Sequence, residues 1–507
     1  MGKPSRYLLL VAIACAGVIA IVVAGTDDEG GAASGFDPGV EIRGIHPAFD
    51  PAERLYVARC GPPHPPIEVR AEPGVTVRTA SGPLRGEPAR LRPDVVPGDD
   101  FSITIAEGGS SRAYRVRCLP ADFPRWHFNP VQRVEDDLFV VSFKPSPRAA
   151  QWVVAFDTRG VPRWWYRPGK RVLWAQILSD GTVTMARAFG DGYGQDPRMA
   201  HEVRTTSGEL LRLVRARGSI IDGHELIESG RGGILVATYV PERADLSRVG
   251  GPRRAAIVTA EIQELDRRGR LRWRWNSGEK VALRETRLRW WARILANPRE
   301  RLGGLQTFDP VHINAIETWG DDRLIVSARH TDGVYGISRE SGEILWKLGG
   351  RGTDRSLKVI GDPAGRHLFG GQHDARISPN GTLSVYDNGK LRKYDSRVVL
   401  YRLQPGRRMA HYLGKLDDPL VETSHCCGSA RRLPAGGWLV NWGSNPLITG
   451  FDDSRRIAFR LRLPTHAYRA VPVPDGAVTL AELDRSLERM VRDDDLSPDK
   501  DLKKESK

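Results

Sequence analysis

The sequence lacks most features that would assign it a chemistry at sight. No spacing of Cys or His matches a zinc site, and no Gly-x-Ser-x-Gly elbow is present to support a Ser-His-Asp hydrolase. No block of basic residues interleaved with aromatics reads as a nucleic-acid surface, so no nucleic-acid partner is expected. Long apolar runs are missing apart from one at the N-terminus. With 40% apolar and 27% charged residues, the chain is neither a multi-span membrane protein nor wholly disordered. What it has in excess is glycine and proline: 54 and 35, or 89 of 507 residues. That is roughly a sixth against a usual share of about 12%, and it favours many turns and short strands over long helices. The 76 Lys and Arg against 62 Asp and Glu give a net charge of +14, mostly Arg spread along strand-like segments, which reads as solvated faces that also attract anions.

The one apolar run, Tyr7 to Gly25, follows Lys3 and Arg6 and precedes an acidic, Gly-rich stretch from Thr26 to Ser34. Nineteen residues at about 1.5 Å each nearly match a bilayer core of about 30 Å. The expectation is an export signal retained as a single-pass anchor in the cell membrane, with the positive flank inside and the body outside the cytoplasm. Val22-Val23-Ala24 also permits cleavage, which would release a secreted body. Ala12-Ile13-Ala14-Cys15 lacks the Leu expected three residues before a lipidated Cys. An extracytoplasmic body makes disulfides expected. Cys60 and Cys118 bracket a Pro-rich alternating stretch (Val69, Val75, Val77, Phe101, Ile103, Ile105, Tyr114, Val116) that reads as a small β-sandwich stapled by a bridge. The adjacent Cys426 and Cys427 suit a vicinal disulfide or two thiols beside a site.

From about residue 125 a two-part unit repeats. One hairpin carries Trp or another large apolar residue, at 153–166, 200–214, 262–275, 334–348, 399–413 and 447–461. A second is built around a Gly turn, at 175–186, 225–238, 313–328, 374–386 and 429–442. Two hairpins per unit make a four-stranded sheet, and six units predict an all-β fold, a six-bladed β-propeller. The expected organisation is a signal or anchor helix at 1–26, a linker at 27–37, the sandwich at 38–122 and the propeller at 123–475. A helix and disordered tail follow at 476–507. The segment 280–305 breaks the repeat: its net charge of +5 and the helical spacing of Val281, Leu288, Trp291, Ile294 and Leu295 predict a basic insertion helix, at the rim or as a membrane-surface or lid element.

Three histidines stand immediately before second hairpins: His224 in Asp222-Gly223-His224, His312 in Asp309-Pro310-Val311-His312, and His373 in Gln372-His373-Asp374; His425 precedes Cys426. Side chains at one phase of successive blades converge on the axis, and crowding titratable rings there at a cost in desolvation points to a site. Arg329, at the end of the strand pair beginning at His312, returns to the same funnel. His and Arg together suit an anion; a metal held by the three histidines is the rival.

At these residues the sequence resembles the bacterial arylsulfotransferase family, whose members move a sulfuryl group between phenols without a nucleotide sulfate donor. The resemblance lies in Asp309-Pro310-Val311-His312-Ile313-Asn314-Ala315-Ile316, Leu324-Ile325-Val326-Ser327-Ala328-Arg329, residues 342–350, Gln372-His373-Asp374-Ala375-Arg376, and Asn380-Gly381 to Asp387-Asn388-Gly389, within a span from near 130 to near 465. It implies a six-bladed propeller after a small sandwich, an aryl sulfate donor and a phenolic acceptor as small-molecule partners, and no cofactor. It further implies that His373 is transiently sulfated, that His312 and Asn314 hold the sulfuryl oxygens, and that Arg329 and His224 assist. Asp374 and His425 are expected beside the substrate. The adjacent Cys426 and Cys427 and the basic insertion depart from the family pattern. The alternative function class is a catalytically silent propeller that binds an anionic ligand or a cell-envelope partner through the same funnel.

Overall fold

The computed structural model describes residues 36–492, apart from residues 97, 145–150, 189–197, 303, 366 and 391–393. The run at Tyr7–Gly25, Cys15 and the acidic end of the tail lie outside the described residues. Among the described residues no helix is long and apolar enough to cross a membrane.

The strands of the body are unusually apolar on both faces. Val153–Asp157, Pro162–Tyr166 and Val183–Arg187 are buried at every position, because each sheet is covered on both sides by its neighbours. Their hairpins close with a recurrent device. Asp157, Asp266 and Asp452 each accept backbone N–H bonds across their own turn, from Val161, Arg270 and Arg456, while Gly160, Gly269 and Arg455 occupy the left-handed position.

Six sheets result, each with four antiparallel strands at its centre, and three of them carry one or two further strands. In chain order the last five begin with Val172–Ile177, Ile220–Glu228, Ile313–Trp319, His373–Ile377 and Ser429–Arg432. The first sheet instead takes its innermost strand from the far end of the chain: Ala467–Pro472 pairs with Leu138–Phe143, which is followed by Val153–Asp157 and Pro162–Tyr166. Reciprocally, His127–Pro130 adds a fifth strand to the last sheet by pairing with Ile457–Arg462. Contacts run from Ala467–Pro472 to Val172–Ile177, from that sheet to Ile220–Glu228, and on through Ile313–Trp319, His373–Ile377 and Ser429–Arg432 back to Ala467–Pro472. The architecture is all-β and propeller-like. All eleven expected hairpins form, but each of the last five sheets joins a Gly-turn hairpin to the Trp hairpin that follows it, half a unit out of step with the expected pairing. Both hairpins are local, so their spacing does not say which neighbour completes the sheet.

Residues before the first sheet build two smaller sheets, of three and six strands, around Ile42, Tyr56, Ile67, Val69, Ile103, Ile105, Tyr114 and Val116. Cys60 is bonded to Cys118, tying the loop after Leu55–Ala58 to the end of its parallel neighbour Ser110–Cys118. With a sequence separation of 58 between the cysteines, the chain-entropy model gives the bridge about 4 kcal/mol. Cys60→Ser/Cys118→Ser is therefore expected to lower this region's unfolding free energy by about that amount; urea unfolding followed by Tyr fluorescence checks it, and a shift below about 1 kcal/mol would remove the staple. The C-terminal helix Leu480–Arg492 buries Leu483 and Leu487 against the first sheet and offers Asp484 to Arg115 (2.9 Å) and Arg117 (2.6 Å) of the small sheets.

The insertion is less helical than its spacing implies. Only Leu288–Ala296 is α-helical; Val281 joins a different core, and Leu288 is 82% exposed. Trp290, Trp291 and Ile294 supply the buried face, packing on Leu246, Ala255, Ile257 and Phe308. The spacing extended the helix across a turn at Leu283–Glu285 and a strand at Leu305–Phe308, which pairs in parallel with Ala255–Asp266.

Candidate functional site

Strands entering the ring at one phase bring their first residues together. The rings of His224 and His312 lie 4.8 Å apart between centroids, His312 and His330 4.7 Å, and Tyr468 is 5.8 Å from His224 and 6.3 Å from His373. Four innermost strands thus contribute, including the C-terminal closing strand through Tyr468. His312, Asp374 and Cys427 all have positive φ (57°, 46° and 67°), a left-handed geometry that costs non-Gly residues of order 1–3 kcal/mol and clusters at functional positions.

His373 is 2% exposed, and its tautomer is set by the Asn388 side chain and two backbone groups. Nδ1 faces the Gly371 carbonyl (3.1 Å) and Asn388 Oδ1 (2.7 Å), both acceptors, so Nδ1 carries the hydrogen. Nε2 accepts from the Cys427 N–H at 3.3 Å, which leaves it the unprotonated nitrogen. Burial first, then the nearby Arg329 charge, holds the ring's pKa well below its ordinary value against the opposing Asn388 bond. The two other predicted histidines are backed by carboxylates: His224 Nδ1 lies 2.6 Å from Asp222, and His312 Nδ1 2.5 Å from Asp309. Asp309 also fixes the His312 backbone N–H (2.9 Å).

Arg329 is held from three sides. Its guanidinium donates to His330 Nε2 (3.2 Å) and to the His425 carbonyl (3.1 Å), and it lies 4.6 Å from the Trp290 ring. His330 Nδ1 faces the Asp309 carbonyl (2.7 Å). Burial first, then His312, lowers the pKa of His330 well below the ordinary value. His425 is exposed, and its Nδ1 accepts from Lys390 Nζ at 2.7 Å. Burial, then Arg293 and Arg329, brings the Lys390 pKa down to about 8. Gly371 (φ +68°) permits this packing, since a Cβ there would stand 2.9 Å from Lys390 Cβ and 3.1 Å from the Trp290 ring.

Two expected substrate contacts are engaged elsewhere. Both oxygens of Asp374 are taken up by arginines: Arg376 (2.6 Å), Arg431 (2.9 Å) and Arg469 (3.6 Å). Burial would raise its pKa, but these arginines outweigh burial and hold it far below the carboxylate range. Arg376 and Arg469 also clasp Glu225, at 2.6 Å each. The short spacing to His373 suggested a site ligand, whereas the left-handed turn at Asp374 points its carboxylate into this ionic knot. Asn314 is fully buried; its side-chain amide donates to the Gln372 carbonyl (2.8 Å), fastening one innermost strand to the next, and its backbone carbonyl accepts from Arg469 (2.6 Å). The axis is thus richer in carboxylates than its sequence indicated, and the deeper ones are neutralised by Arg. Glu225→Ala strands two buried guanidinium groups, so we expect a loss of about 3–5 kcal/mol. Thermal unfolding reads it, and an unchanged melting temperature would show that the knot is dispensable.

Cys426 and Cys427 are bonded to each other. The Cys427 carbonyl accepts from the Asn388 side chain (3.0 Å), so the bonded pair and the His373 ring share one anchor. Among the described residues, Asp309, His312 and His330 form a group whose metal-capable atoms lie within 4.8 Å of one another. In that group His312 Nδ1 faces Asp309, His330 Nδ1 faces a carbonyl, and a guanidinium approaches His330 Nε2, an arrangement better suited to an anion than to a cation.

Sequence reading passed over His330, Asn388 and Lys390, and it did not assign Glu225 or Arg469. His330 follows Arg329 directly, Asn388 lies in the recognised Asp387-Asn388-Gly389 motif and Lys390 directly follows it, so a local signal existed for three of them. Arg469 gave none, because its partners are brought to it by ring closure.

The ring of sheets and its axis lined by His, Arg and Tyr define a propeller-like protein with a histidine-centred site. The family model described as Arylsulfotransferase (ASST) matches residues 177–463, more than half of the chain, and the chain belongs to this family. Similar solved structures include a protein of unknown function from Bacteroides caccae (12% identity, TM-score 0.41, covering 67% of this chain and 100% of that one). Another is the β-propeller domain of Cps50 (Swd1) from Myceliophteria thermophila (12%, 0.34, 68% and 90%). A third is apo AztD from Citrobacter koseri (10%, 0.32, 67% and 98%). At these TM-scores none bears on the site. No curated protein sequence matches the chain.

Proposed function

We propose that the protein is a six-bladed propeller that transfers a sulfuryl group from an aryl sulfate to a phenol by way of a sulfated His373. The observation that carries this reading is the His373 tautomer: a neutral imidazole whose Nδ1–H is held by Gly371 and Asn388, with Nε2 as the nucleophilic nitrogen. Nε2 attacks sulfur as the aryl S–O bond breaks, and the imidazolium formed is stabilised through Nδ1–H by two acceptors. Arriving sulfur displaces the long Cys427 contact, and that amide then donates to a sulfuryl oxygen. Arg329 grips the equatorial oxygens, with His312 and His224, each backed by a carboxylate, completing the set. In the second half the acceptor oxygen attacks sulfur, the N–S bond breaks, and the phenolic proton passes to Lys390 and through His425 to water. No step requires a cofactor. The export expectation fits this reading: a body outside the cytoplasm keeps both disulfides oxidised.

The test is incubation of the purified body with 4-nitrophenyl sulfate and phenol. The Asp309, His312 and His330 group favours one rival, a metal centre. Turnover that survives EDTA, with phenyl sulfate as product, supports sulfuryl transfer; turnover abolished by EDTA and restored by a divalent ion reverses it.

A further inference from the structure

The insertion builds a second concavity, lined by residues distinct from the histidine group. A cavity of about 1050 Å³ lies between the turn at Ser247–Val249, the segment 282–291 and Arg351. Five arginines line it, Arg248, Arg284, Arg287, Arg289 and Arg351, against one acid, Asp245. That acid is occupied locally, accepting from the Ser247 N–H at 2.8 Å. Arg287 and Arg289 both lean on Asp332, whose carboxylate also takes the Trp290 and Gly371 N–H groups at 3.0 Å each. Arg248, Arg284 and Arg351 have no carboxylate within ion-pair distance among the described residues. Their like charges repel across a concave surface, where field lines are focused, and the arrangement is relieved by bound negative charge. Apart from Thr286 the remaining wall is apolar, from Leu246, Val249, Leu283 and Trp291, with the exposed Leu288 also on it. A free inorganic anion would leave that wall unused; a neutral aromatic would leave the arginines unpaired.

We propose that this cavity binds a small amphiphilic anion, a molecule that carries two or more negative charges on an aromatic body. Its volume is at the upper end of the range for small-molecule sites, about 300–1000 Å³. The site is independent of sulfuryl transfer at His373, and its test separates the two.

Naphthalene-1,5-disulfonate serves as the probe, titrated calorimetrically into the full-length protein. Saturable one-to-one binding is expected, weakened at least tenfold in Arg248→Gln/Arg351→Gln and by raising salt, and unchanged in His373→Ala. The first two positions are exposed, so the substitutions leave the core intact. Circular dichroism checks the fold, and Arg284→Gln is the second variant should the double change fail to fold. Equal affinity for inorganic sulfate or for naphthalene-1-methanol would overturn the amphiphilic assignment. Binding lost in His373→Ala but kept in the arginine variants would overturn the location.

Discussion

His373→Ala is expected to fold and to release no 4-nitrophenolate from 4-nitrophenyl sulfate, in either a burst or a steady state. The ring is one residue of an axis held chiefly by strand pairing and by the Glu225, Asp374, Arg376 and Arg469 knot, so its removal leaves Asn388 Oδ1 and the Cys427 N–H short of a partner. That costs roughly 1–3 kcal/mol, a modest lowering of the melting temperature. Covalent transfer, by contrast, has no substitute nucleophile at that point. Retained turnover in a folded variant would end the sulfohistidine reading. The wild type adds a pH signature. Burial, then Arg329, keeps His373 neutral through the range in which an ordinary histidine titrates, so the 4-nitrophenolate burst should show no fall with decreasing pH near 6.5 from this ring.

Arg329→Lys is expected to slow transfer by roughly 10²–10³-fold, or about 2.7 to 4 kcal/mol, with charge retained. The guanidinium divides its donors between His330 and the His425 carbonyl while its face rests near Trp290, which fixes the direction of its remaining N–H groups. A compact ammonium on a flexible stem cannot reproduce that fork or the stacking. The loss should fall on kcat rather than on donor affinity, since the charge that attracts the anion is still present. A lysine variant within threefold of wild type would assign Arg329 to structure alone.

Local pattern made much of this protein legible. Hairpins announced themselves by Gly turns and by a recurrent Trp or large apolar residue, and His224, His312 and His373 shared a phase that the structure converts into proximity. What escaped was non-local. The sheet boundaries depended on which neighbour a hairpin joins, and the first sheet could not be completed from sequence because Leu138–Phe143 pairs with Ala467–Pro472. Asp374 misled for the opposite reason: its nearness in sequence to His373 concealed a backbone turn that sends its carboxylate to Arg376, Arg431 and Arg469. Helical spacing in the insertion likewise grouped Leu288 with the buried face, although the helix begins at this residue and leaves it in solvent.

Because the ring is latched by its last strand, assembly of the axial cluster is tied to chain completion. Ala467–Pro472 carries Tyr468, which flanks two of the histidines, and Arg469, which ties Glu225 to the Asn314 carbonyl. A polypeptide emerging N-terminus first therefore presents His224, His312 and His373 before the strand that closes the ring around them. The axis is complete only when the final strand pairs beside Leu138–Phe143 and brings Tyr468 and Arg469 to groups that the earlier strands already hold.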